Sequence, residues 1–158
     1  MTNTLSIRAV TRADVPALKS VLDRVELFPS DMLDAMIAPY LDEADNPHIW
    51  FAAEDGGELV ALGYCEPERM TDRVWNLLAI AVIEGRQSQG VGTAMLGWLE
   101  AHLACEGQRL LLVETSGTSE FEATRRFYAR RGFREEARIR DYYTDGDDKI
   151  VFVKSVSG

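Results

Sequence analysis

The pattern of apolar and polar positions divides the chain into a succession of short elements. "LSIRAV" (5–10) alternates with the two-residue period of a strand. "TRADVPALKSVLDRV" then sets Val15, Leu18, Val21, Leu22 and Val25 at helical spacing, with Thr11 or Asp14 placed to cap the start. A second helix is expected from Ser30 in "SDMLDAMIAPYLDEA", bent or split by Pro39. "HIWFAAE" and "ELVALGYCEP" are strand-like, and the "DGG" between them signals a hairpin turn. "RVWNLLAIAV" (73–82) is an apolar, β-rich run. "VGTAMLGWLEAHLACEG" carries a stripe of Leu96, Leu99 and Leu103 and closes at Gly107, as a helix does. "QRLLLVETS" reads as a buried strand and "SEFEATRRFYARRG" as a helix ending at Gly132. "FREEARIRDYY" and "KIVFVKSV" close the chain as two strands around "TDGDD".

This order constrains the fold. Residues 73–115 form a strand–helix–strand unit, whose two strands should be parallel and joined by a right-handed crossover. The flanking hairpins should be antiparallel. The expectation is an α/β domain whose mixed, mostly antiparallel sheet has a central parallel β-α-β unit. At 158 residues the chain suits a single domain, 1–158, able to bury about 70% of its unfolded surface.

One stretch sits oddly in this pattern. "GRQSQGVGTAML" (85–96) puts Gly90 and Gly92 at the mouth of a helix, where Ser, Thr, Asp or Asn would cap better. Glycine there costs backbone entropy. The compensation is access: a helix start carries about half a positive charge and several unpartnered N–H groups, and glycine removes the Cβ that would keep an anion away. Two familiar phosphate motifs fail on spacing. A Walker loop needs a Lys that is absent from "GVGTAM", and the third glycine of a dinucleotide fingerprint is replaced by Met95.

Charge and composition sharpen the choice of ligand. The net charge is −9, from 26 acidic and 17 basic residues, which disfavours general nucleic-acid binding and weakly favours cationic partners. Yet Arg125, Arg126, Arg130, Arg131 and Arg134 fall close together, a local positive patch on an acidic chain. No run approaches the ~20 apolar residues that span a bilayer, and the first residues lack the pattern of a signal peptide, so a cytoplasmic protein without a membrane partner is expected. Cys65 and Cys105 both read as buried small hydrophobes, and no spacing of Cys, His or acids suggests a metal.

Gln87-x-x-Gly90-x-Gly92, following a strand that ends "AIAV", resembles the acyl-coenzyme A signature of the GNAT acetyltransferases. "RRFYARRGF" (125–133) resembles the family's second landmark, a helix ending in Tyr before a short basic stretch and Gly-Phe. The opening "IRAVTRADVPAL" is similar to the family's first strand and helix, so the likeness covers essentially the whole chain.

The resemblance implies a splayed pair of central strands and acetyl-CoA as cosubstrate. It implies that Gln87, Ser88, Gln89, Gly90, Val91, Gly92 and Thr93 form the pyrophosphate cradle. The backbone of Leu78, Ile80, Ala81 and Val82 would hydrogen-bond the pantetheine arm, while their side chains serve as ordinary strand packing. Arg130 and Arg131 are candidate phosphate partners, as is Arg86 beside the cradle; a solvated helix face explains the Arg cluster as well. Tyr128 matches the general acid that protonates the departing thiolate, and its alternative is a core aromatic beside Phe127. Two departures stand out. The family's Asn seven positions before the Tyr is Phe121, and its Ala four before is Thr124.

The general base is open. The position of the strand Glu used by some members is Asn76, which holds no proton but suits a water; Glu114, ending "LLLVE", is the first candidate base, with Glu66, Glu68 and Asp72 as further carboxylates. His48 and His102 carry little weight. The reaction implied is direct transfer of acetyl to a primary amine in a ternary complex, the acceptor being a small molecule or a peptide N-terminus. Acceptor selectivity is expected from residues 26–45 and 65–73. A non-catalytic acyl-CoA binding or sensing domain is the alternative, and monomer and homodimer stay open.

Overall fold

The computed structural model describes residues 4–87 and 89–157. Its strands are β1 (Leu5–Ala9), β2 (Ile49–Asp55), β3 (Glu58–Pro67), β4 (Val74–Val82), β5 (Leu110–Ser116), β6 (Arg134–Thr144) and β7 (Asp147–Ser155). Its α-helices are α1 (Val15–Arg24), α2 (Leu33–Asp42), α3 (Val91–Cys105) and α4 (Glu122–Arg130). Three of the helices are preceded by a single 3-10 turn, at Arg12–Asp14, Ser30–Met32 and Ser119–Phe121. The strand order is β1-β2-β3-β4-β5-β7-β6. β4 and β5 run parallel, and the pairs β1–β2, β2–β3, β5–β7 and β6–β7 run antiparallel. This is the mixed, mostly antiparallel sheet that the order of elements predicts.

The chain divides into two compact units, Met1–Glu66 with Leu78–Leu99, and Pro67–Leu77 with Glu100–Gly158. In the first, Thr11 and Asp14 form a capping box ahead of α1. Asp14 also takes a two-pronged bond from Arg8, at 2.7 and 2.9 Å, and that guanidinium holds its carboxyl down at about 2. Of the two expectations for Pro39, splitting is excluded, since α2 runs through it. Leu33 and Ile37 are buried, Tyr40 donates to the Val10 carbonyl at 2.6 Å, and Glu43 N–H bonds the Pro39 carbonyl, so packing outweighs one lost helical bond. The β2–β3 turn uses Gly56 and Gly57, both at positive φ, as the "DGG" predicts.

The centre of this unit is Phe51, fully buried and stacked on Trp98 of α3 at 5.3 Å. Its opposite number on β3 is Gly63, and the ring occupies the space where a Cβ would stand. Cys65, two positions on, is buried as expected. Cys105, by contrast, is exposed at the end of α3, which corrects the reading of both cysteines as core.

In the second unit the parallel register pairs Val74–Leu77 with Leu110–Val113. β5 continues against β7 as far as Ser116↔Lys149. Leu111, Val113, Ile150 and Phe152 are buried along these strands. β6 is exposed along its whole length, and the turn to β7 is a tight Asp145–Gly146 rather than the five residues of "TDGDD".

A Cβ at Gly63 would lie 2.3–2.8 Å from Phe51 ring atoms, so Gly63→Ala should destabilise the fold by about 1–3 kcal/mol in denaturant titration. Gly97, in α3, has open space at that position and should behave oppositely, with Gly97→Ala stabilising by about 0.5–1 kcal/mol.

Candidate active site

The glycine-rich turn lies in the first unit. β4 ends at Val82, and Ile83 N–H is tied back to the Val60 carbonyl at 3.0 Å. The Gln87 side chain then folds onto the strand end, its Nε2 donating to the Val82 carbonyl at 3.1 Å. Arg86 pairs with Asp55, so its guanidinium anchors the loop rather than standing free. Gly90 has φ +79°, a left-handed conformation that penalises any Cβ, and the space its Cβ would take is open. The first helical bond of α3 is Ala94 N–H to the Gly90 carbonyl, which leaves the amides of Val91, Gly92 and Thr93 ahead of the helical ladder. Val91 is buried, Gly92 half-buried and Thr93 exposed. Ser88 lies outside the described residues. On β4, Leu78 is exposed and Ile80, Ala81 and Val82 are half-buried, whereas Val74–Leu77 are buried.

The carboxylates converge in the second unit. Asn76 is 3% exposed, and its Nδ2 donates to Glu68 Oε1 at 2.8 Å and to Glu114 Oε1 at 3.2 Å. Glu114 meets it because the register puts Asn76 opposite Leu112, two residues away on the same face of β5. Among the described residues, the buried Asn76 Oδ1 has no hydrogen-bond partner. Such an acceptor costs about 1–3 kcal/mol left unpaired, so it calls for a donor. The other Glu114 oxygen pairs with Lys149 of β7. Sequence reading missed Lys149, because only the β5–β7 register reveals the contact. Of the remaining carboxylates, Glu66 accepts from Tyr64 and lies 3.4 Å from His48 Nε2, and Asp72 is exposed and bound to Arg73. Met70 and Arg73 hold positive φ in the loop between β3 and β4.

Tyr128, on α4, is 4% exposed and surrounded edge-on by Phe127 and Phe133 at 5.5 and 5.6 Å. Burial pushes its phenol up to about 12, so it stays protonated throughout the neutral range. No hydrogen bond among the described residues engages its hydroxyl. The Arg cluster separates into roles. Arg125 clips the Ser116 and Thr118 carbonyls, both at 2.8 Å, Arg126 pairs with Glu122, and Arg134 pairs with Glu136. Arg130 is exposed and Arg131 half-buried, and these two keep the cofactor reading open. Phe121, in place of the family's Asn, caps α4 and is partly exposed. The Cys65 thiol is buried and pushed up in pKa, which disfavours a covalent thiol relay.

Residues 16–133 match the acetyltransferase (GNAT) family. The chain belongs to the GNAT acetyltransferases. An uncharacterized N-acetyltransferase of Methanocaldococcus jannaschii is 31% identical over 114 residues, 68% of this chain and 67% of that protein. A crystal structure assigned to the GNAT acetyltransferases, from Desulfovibrio desulfuricans, shares 28% identity at a TM-score of 0.88, covering 97% of this chain and 99% of the other. The ribosomal-protein-S18-alanine N-acetyltransferase of Escherichia coli shares the fold at a TM-score of 0.79 and 24% identity, over 98% of this chain and 95% of that one.

This GNAT protein is therefore an acetyl-CoA-dependent acetyltransferase, which sets aside the non-catalytic binding domain. At Gly90 the positive φ and the open space at the Cβ position leave the start of α3 uncovered, which is compatible with the coenzyme the family uses. Among the described residues, no helix is long and apolar enough to cross a membrane.

The shared amide predicts a pH signature. Asn76→Asp places a third carboxyl, in a buried site, between two others, so its folded pKa must rise above the unfolded value of about 4. A carboxyl raised in this way penalises folding above the unfolded value and spares it below. The melting temperature of Asn76→Asp should thus fall behind wild type as pH climbs from 4 to 7 and converge with it near pH 3.

Proposed function

We propose that this single acyltransferase domain, 1–158, moves acetyl from acetyl-CoA to a primary amine by direct attack in a ternary complex. Acetyl-CoA supplies the activated thioester. The amides at Gly90, Val91, Gly92 and Thr93 hold its pyrophosphate; Gln89 N–H instead donates to the Arg86 carbonyl at 3.2 Å and braces the turn, and Gln87 shapes that loop from the Val82 carbonyl. Arg130 and Arg131 supply positive charge to the phosphates. Leu78, Ile80, Ala81 and Val82 lie beyond the parallel register of β4 and offer backbone groups to the pantetheine arm.

The acceptor arrives as an ammonium and must lose a proton before it attacks. The observation that carries the reading is the buried Asn76, whose nitrogen spans two carboxylates while its oxygen lacks a donor among the described residues. Asn76 holds a water at that oxygen, and Glu114 accepts the proton that water relays. Tyr128 then donates its phenolic proton to the departing thiolate, for which its raised pKa keeps it ready. Positioning of amine against thioester supplies most of the remaining rate. The acceptor is a small cationic metabolite, an amino acid or a peptide N-terminus; the acidic balance of the chain supports a cation. The E. coli neighbour, whose name gives a protein alanine as its substrate, keeps the peptide N-terminus among these. An ordinary globular composition with few cysteines supports a cytoplasmic setting.

Incubation with acetyl-CoA and a panel of amines should release free thiol with a matching acetylated product by mass. Thiol release with no amine in the panel would count against the reading. Tyr128→Phe should lower turnover by about 10²–10⁴-fold with acetyl-CoA affinity retained. Gly90→Glu should abolish coenzyme binding in calorimetry, because the side chain projects into the open cradle, carries like charge and strains a positive φ.

A further inference from the structure

The Glu114 carboxylate is gripped from two sides, by Asn76 of β4 at one oxygen and by the Lys149 ammonium of β7 at the other. Lys149 is itself enclosed. Its side chain is 14% exposed, and its Nζ stands 4.3 Å from the centre of the Tyr142 ring on β6. The register makes the meeting specific: Glu114 faces Val151, and Lys149 is the next residue along on the same face of β7.

We propose that Lys149 is a positioning residue for acetyl transfer, which fixes the Glu114 carboxylate against Asn76 and offsets the charge of its neighbour Glu68. The inference rests on Glu114 acting as the base. The groups facing Glu114 are Lys149 on β7, Glu68 through the shared Asn76 amide, and Tyr142 and Tyr143 on β6, with Asp147 beside Tyr143. Lys149 is the one cation among them. Two carboxylates on one amide repel, and without a cation such a pair retains a proton to higher pH. Burial alone lowers the Lys149 ammonium, but its bond to Glu114 and the nearby Tyr142 outweigh that and raise it, so the cation persists at neutral pH. A lysine this enclosed is rarely kept without a partner, so each charge stabilises the other.

A plain cross-brace between β5 and β7 would have the same contacts but a different pH dependence. The test is the kcat/KM profile of Lys149→Met and Lys149→Gln, using an amine identified by thiol release, alongside carboxyl-carbon NMR titration of Glu114 in the free protein. The acidic limb and the Glu114 midpoint should both move up by about one to three pH units relative to wild type, and Lys149→Arg should restore them. A uniform loss of rate with limb and midpoint in their wild-type places overturns the proposal, leaving only a brace. Should Lys149→Met not fold, Lys149→Gln keeps a polar side chain and decides the question by the same two readouts. Glu114→Gln separates the two layers: a limb that survives there defeats the base assignment itself, whereas a limb lost there but unmoved in the Lys149 variants defeats only the role of Lys149.

Discussion

The Asn76 side chain, buried on a central strand, donates from one nitrogen to two carboxylates that would otherwise repel each other. Ionised carboxyl groups so close are tolerated only where donors and a counter-charge compensate them. Here the donor is a neutral amide fixed by the β4 backbone, and the counter-charge is Lys149 reaching from β7. Both depend on strand register. A slip of one residue in the β4–β5 pairing would turn Asn76 and Glu114 to opposite faces, and a slip in β5–β7 would remove the lysine. The chemistry of the second unit is thus a consequence of sheet alignment.

In the proposed reading the first unit meets a different demand, presenting bare backbone to an anion on a protein of net charge −9. Charge overall works against a phosphate-rich ligand, so attraction has to be local and rigid. The turn is fixed at three points: Ile83 to the Val60 carbonyl, Gln87 to the Val82 carbonyl, and Arg86 to Asp55. Gly90 then takes a conformation that a side chain would strain. The signature Gln therefore has a structural task in this chain, bonding to the strand that feeds the cradle. Arg86 is likewise spent on the loop, which leaves helix amides as the principal donors.

The parts of this fold legible in the sequence are those set by local periodicity and turn chemistry. The bounds of β3 coincide with "ELVALGYCEP", and the glycines of "DGG" adopt the positive φ that a tight hairpin requires. Pattern left two outcomes open at Pro39, because helix rules weigh a missing N–H, while burial of Leu33 and Ile37, which keeps α2 in one piece, is a tertiary gain that they do not count. Cys105 misled because it follows an apolar stripe to the helix end, where the buried face has already run out. Among the five arginines, composition saw one patch, but Arg125 is bound to two carbonyls and Arg126 and Arg134 to carboxylates. Short-range pattern cannot distinguish a free guanidinium from a satisfied one.

The same distinction explains why a proposed acid is easier to read from sequence than a proposed base. The proposed acid, Tyr128, has to be protonated at neutral pH, a property that a phenol has already and that burial among Phe127, Phe133 and Phe152 reinforces. One residue and its helix are enough to infer it. A base must be ionised, accessible and aimed, and each condition is set by groups distant in sequence: Glu68, Asn76, Glu114 and Lys149 come from four separate segments. An Asn at position 76 keeps negative charge off β4 while leaving a polar anchor there. The charge reappears on both sides of the amide, and the lysine reduces the local excess to a single negative unit. Under the proposed reading, that arrangement suits an incoming ammonium, which carries one positive charge and must give up one proton.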